Sequence, residues 1–108
     1  MNDFDVVPIP TINEDTKRVL QRDVRTATSV AITALRAELV SARAKFPGNR
    51  HNLAALTEEV GELNQAMIEY HRGNPDVSAD DIFKEAIQVA CVALRVATEG
   101  DADFKYSR

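Results

Sequence analysis

A chain of 108 residues with 44% apolar residues, no Trp, four Gly and four Pro is long enough for one domain with a modest core, and its composition suits helices. Its formal charge of −4 is spread over interspersed acids and bases, so it lacks the basic face that a nucleic-acid or anionic-membrane binder needs. One cysteine, Cys91, cannot close an internal disulfide; no basic leader with an apolar core and no apolar run of membrane-spanning length is present. A soluble, cytoplasmic protein is expected.

Residues 1–12 cannot be helical through Pro8 and Pro10, each of which also drives its predecessor to extended geometry. An extended N-terminal tail is expected there, either frayed or docked on a neighbouring surface through Phe4, Val6, Val7, Ile9 and Ile12, ahead of a single all-α domain over 13–108. Thr11 and Glu14 have capping-box spacing and should open the first helix. Leu20, Val24, Ala27, Ala31, Ala34/Leu35, Leu39 and Ala42 recur at steps of three and four. They predict one long helix, with a kink allowed near Thr26–Ser29, stopped by Pro47 and Gly48.

The second helix should run from Asn52 to Tyr70, with Leu56, Val60, Leu63, Met67 and Tyr70 as its apolar stripe. Gly73 and Pro75 end it. Ser78 or Asp80 should cap a third helix that reaches Thr98 and is closed by Gly100. Residues 86–97 of that helix are apolar almost all the way round, and a helix without a polar face has to be surrounded. Two other helices from a short chain do this poorly. The expected architecture is therefore a bundle of three main helices per chain, completed by oligomerisation as a homodimer or homotetramer.

The acids are oddly placed for such a bundle. At 100° per residue, Glu59 falls about 60° from the centre of the second helix's stripe, Glu62 about 120° and Glu58 about 160°. Three like charges within a turn repel, and no Lys or Arg occurs between 51 and 71 to offset them. Glu85 shares the face of Val89, Val92 and Val96, beside a polar seam of Lys84, Gln88 and Arg95. If the two helices pack antiparallel, Glu85 faces Glu59 and Glu62, and the oxygens suit Mg²⁺ or Mn²⁺. The plainer reading for Glu58 and Glu62 is a solvated face. His51 and His71, at opposite ends of the second helix, read as loop or cap residues.

Leu56-Thr-Glu-Glu-Val-Gly-Glu-Leu63 followed by Lys84-Glu-Ala-Ile-Gln-Val-Ala-Cys-Val-Ala-Leu-Arg95 resembles the MazG-like all-α nucleoside triphosphate pyrophosphatases. The signature of that family is Glu-Glu-x-x-Glu and, about one helix connection later, Glu-x-x-Asp. The resemblance covers residues 45–100 and implies metal-dependent hydrolysis of a nucleoside or deoxynucleoside triphosphate to its monophosphate and pyrophosphate. It implies Mg²⁺, or Mn²⁺, on Glu58, Glu59, Glu62, Glu85 and Gln88, with Glu58 also as candidate base. Lys84 and Arg95, with Lys45, Arg50 and Asn52 before the second helix, are candidate substrate ligands. Gln88 stands where the family has aspartate; its amide oxygen can ligate a cation but brings no charge and cannot act as a base. A non-catalytic oligomer of the same fold, binding metal or nucleotide, is the competing expectation.

Overall fold

The computed structural model describes residues 14–102 and 104, with side chains from Asp23 onward. The tail over 1–12, the Thr11 cap and Leu20's place in the apolar stripe lie outside the described residues or side chains. The described residues form three helices: α1 Glu14–Lys45, α2 Asn52–His71 and α3 Ala79–Glu99. No strand occurs among the described residues; Asp101 and Phe104 form an isolated bridge. The fold is all-helical, and none of the described helices is long and apolar enough to cross a membrane.

The chain divides at Val30 into two compact units. The described part of the first is the opening stretch of α1, helical through Thr26–Ser29 without interruption. There the Thr28 hydroxyl donates back to the Val24 carbonyl at 2.8 Å. The second unit holds the remainder of α1 with α2 and α3. From Ala31 onward α1 half-buries Ala31, Ala34, Leu35, Leu39 and Ala42 of the stripe read from the sequence, with Glu38 in register, whereas Val24 and Ala27 of that stripe, in the first unit, are exposed.

Helix boundaries follow local chemistry. Gly73, at φ 81°, takes the left-handed position after α2 that a side chain disfavours. Its N–H donates to the Tyr70 carbonyl and that of Asn74 to the Glu69 carbonyl, both at 3.0 Å, a Schellman ending that satisfies two terminal carbonyls. Asn74 then accepts from the Asp76 N–H at 2.9 Å. Of the two candidate caps, Ser78 is the one that opens α3. Its hydroxyl accepts from the Asp81 N–H at 3.2 Å, and its own N–H donates to the Asp81 carboxylate at 2.8 Å. Those bonds with Ser78 hold the Asp81 carboxyl below its ordinary range.

α2 and α3 pack against each other. The α2 N-terminus meets the residues just past α3, where the Leu53 N–H donates to Asp101 Oδ1 at 2.9 Å, so the pair is antiparallel. The packed face of α2 differs from the one the periodicity predicts. Asn52, Ala55, Leu56, Glu59, Leu63 and Ala66 turn inward, whereas Val60, Met67 and Tyr70 of the expected stripe are exposed. α3 covers only one flank of the apolar arc, and that flank includes Glu59. Cys91 is the one apolar side chain fully buried among the described residues. Loss of water holds its thiol in the neutral form, above the ordinary range.

Candidate functional site

The antiparallel pairing brings three acids together. Glu59 and Glu62 lie one turn apart on α2 and Glu85 lies across on α3, each with a carboxylate oxygen within 4.8 Å of the others. Glu59 and Glu85 are half-buried and Glu62 is exposed. Oε2 of Glu59 and Oε2 of Glu85 are sealed from solvent and accept no hydrogen bond. Burial, which penalises the charged form, raises the Glu59 carboxyl from 4.5 to about 7, and the carboxylates of Glu62, Glu85 and Glu58 push the same way. Burial also raises Glu85, with Glu62 and then Asp81 adding to it.

Two orphaned, desolvated carboxylate oxygens beside a third acid are costly unless protons or a cation neutralise them. Hard divalent cations take their ligands from such oxygens. The donor set therefore fits a Mg²⁺-like ion, with Glu59, Glu62 and Glu85 as the residues that would hold it.

Glu59 also lines a cavity of about 400 Å³ between the end of α1, the 46–51 connection, α2 and α3. Ala42, Phe46, Pro47, Ala55, Cys91 and Val92 form its apolar wall. Glu38, Glu58, Glu59 and Gln88 bring polar groups to it, and Lys45, Arg50 and His51 stand exposed around it. Seven of the ten residues singled out from the sequence thus border one space: Lys45, Arg50, Asn52, Glu58, Glu59, Gln88 and Arg95. Lys84 is exposed and does not line the cavity.

Two of those seven are already committed to the protein itself. Arg95 is 5% exposed; its Nη2 donates to the carbonyls of Phe46 at 2.8 Å and Gly48 at 2.7 Å. Its Nε and Nη2 also bind the two Glu99 oxygens, each at 3.1 Å. These bonds, with Arg43 Nε on Glu99 at 3.0 Å, hold the Glu99 carboxyl below its ordinary range. Asn52 is buried and donates to the Gly100 carbonyl at 2.9 Å.

A further set of residues, which the sequence did not announce, completes this platform. Asn49 donates to the carbonyls of Glu99 at 2.9 Å and Asp101 at 3.2 Å, satisfying groups that the end of α3 would leave open. His51 precedes α2 at the capping position but its side chain caps nothing. Buried Asp101, remote in sequence, performs that task through Leu53. The α2 N-terminus is consequently occupied by a carboxylate of the chain and does not offer itself to a phosphate. Glu38 could have been found from its register with Ala31, Ala34, Leu35 and Ala42. Asn49 and Asp101 carried no comparable signal.

Comparison with protein-family models, with curated proteins and with solved structures finds no match.

Proposed function

We propose that this chain is a cytoplasmic, metal-dependent nucleoside triphosphate pyrophosphohydrolase of the MazG-like kind, working as a homodimer or homotetramer. One observation carries the reading: three carboxylates converge within 4.8 Å, two with orphaned buried oxygens, and Glu59 of the three also lines the adjoining cavity of about 400 Å³. The family resemblance of 56–63 and 84–95 supplies the reaction class.

The chemistry asks for neutralised phosphates, an oriented water and a proton acceptor. Glu59, Glu62 and Glu85 would hold Mg²⁺ or Mn²⁺, which would supply the neutralisation and make a bound water more acidic. Lys45 and Arg50, exposed at the cavity, bind phosphate oxygens. Glu58 lines the cavity outside the triad, where it accepts the proton of the attacking water. The new bond forms from that water to the α-phosphorus, the bond from it to the bridging α–β oxygen breaks, and the products are monophosphate and pyrophosphate. Arg95 and Asn52 contribute by fixing the 46–52 connection.

The assay is pyrophosphate release from a panel of ribo- and deoxyribonucleoside triphosphates with Mg²⁺. Release above a Glu59→Ala/Glu62→Ala control is expected for at least one nucleotide; release from none sinks the enzyme reading. Gln88 favours a second reading, an oligomer that binds metal or nucleotide without hydrolysis, because it brings no charge where the resemblance expects an aspartate. That protein would gain thermal stability with Mg²⁺ and release no pyrophosphate.

A further inference from the structure

Gln88 lies one turn beyond Glu85 on α3 and lines the cavity alongside Cys91, Val92 and Arg95. It is half-buried, and it is the one amide side chain on the α3 wall of that cavity. A primary amide offers donors and an acceptor side by side. Placed against an apolar wall, it suits a neutral planar group with a matching edge. Phe46 stands on the same cavity with 70% of its surface exposed, while its carbonyl is pinned by Arg95. A cavity of about 400 Å³ is of the size that small ligands occupy. Anionic ligand groups would find Lys45 and Arg50 at its rim.

Resting on the nucleotide reading above, we propose that this cavity is the nucleobase subsite, with the Gln88 amide reading the base edge and the Phe46 ring stacking on its face. Gln88 then serves specificity, and the cation is left to Glu59, Glu62 and Glu85. The two roles separate cleanly. An amide that pairs with a base edge discriminates among bases, as glutamine does when it pairs with adenine; an aromatic face holds every base nearly alike.

The test is calorimetric binding of adenosine, cytidine, guanosine and uridine 5′-monophosphates to the full chain in Mg²⁺. A monophosphate has no phosphoanhydride to lose, so binding is read apart from hydrolysis. Wild type should hold its preferred base about tenfold or more tighter than its poorest. Gln88→Leu should compress that range to within about threefold, and leave Mn²⁺ affinity, measured by electron paramagnetic resonance, within about twofold. Phe46→Ala should weaken all four by about tenfold. The subsite is overturned if wild type binds the four alike, or if Gln88→Leu keeps the wild-type preference. It is also overturned if Gln88→Leu costs tenfold or more in Mn²⁺ affinity, since that puts Gln88 on the cation (about the loss expected of a ligand or its support). Binding of none of the four by wild type overturns the subsite and, if no triphosphate is hydrolysed either, the nucleotide reading with it.

Discussion

Replacing Glu59 by Gln should stabilise the metal-free protein at alkaline pH and destabilise it relative to wild type once a divalent cation is present. The folded-state pKa of Glu59 is raised from 4.5 to about 7. Its contribution to stability is therefore fully present below about pH 4.5 and is lost as pH rises through about 7. At about 1.4 kcal/mol per pH unit, the full rise corresponds to roughly 3 kcal/mol. Glu59 is only half-buried, so solvent screening reduces this to about 1.5 kcal/mol. Glutamine keeps the shape and cannot ionise.

In EDTA at pH 8, Glu59→Gln should therefore melt about 6–12 °C above wild type by circular dichroism, at 4–8 °C per kcal/mol for a small domain. At pH 5 the two should melt within about 2 °C of each other, both being neutral at this position. Saturating Mg²⁺ or Mn²⁺ should reverse the order at pH 8. Wild type gains about 2.7 kcal/mol at a hundredfold excess over Kd, and the variant, short of one carboxylate, gains much less. If Glu59→Gln melts at or below wild type in EDTA at pH 8, burial and the neighbouring acids do not disfavour the Glu59 carboxylate as its surroundings require. If the cation fails to reverse the order, they do not hold one.

Three further outcomes test the scaffold. Asp101→Ala removes the cap on Leu53 and should cost about 1–2 kcal/mol, read as a lower urea midpoint at unchanged slope. Arg95→Met leaves the carbonyls of Phe46 and Gly48 and the carboxylate of Glu99 without their buried partner; a loss of about 3–5 kcal/mol is expected, with hydrogen exchange of the 46–52 amides rising first. Sedimentation at micromolar concentration should show a dimer or tetramer, and Val60→Asp, placed on the exposed apolar flank of α2, should shift it to monomer. A wild-type monomer would refute the oligomer.

The boundaries of α2 and α3 were legible because the stop signals are chemical and local. Gly73 and Ser78 act through bonds to residues no more than five positions away. The meeting of Glu59, Glu62 and Glu85 was legible too, from helical phase plus a single assumption about antiparallel packing. The facing of α2 was not. Its apolar arc is wider than one neighbour covers, and periodicity centres the arc without saying which flank the neighbour takes. Arg95 looked like a phosphate ligand because it sits in a polar seam. Its actual partners are backbone carbonyls 47 and 49 positions away, and a carbonyl's availability is invisible in a sequence. The bonds of Asn49, Asn52 and Asp101, which span 48 to 52 positions, were hidden for the same reason.

Glu59 is the point at which the two halves of the site join. Among the described residues it is the one member of the carboxylate triad that also lines the cavity, so a ligand in the cavity lies against a cation ligand. Glu62 and Glu85 belong to the triad and do not line the cavity, whereas Gln88 and Phe46 line it. The division carries a consequence for variants. Substitutions at Glu62 or Glu85 should lower cation affinity and leave base preference intact, those at Gln88 should do the reverse, and only Glu59 should disturb both. Gln88 then need not be a weakened copy of an acid: a fourth carboxylate beside Glu59, Glu62 and Glu85 would add to the burial and repulsion that already lift the carboxyls of Glu59 and Glu85. A neutral amide leaves the cavity wall free to address an uncharged ligand edge.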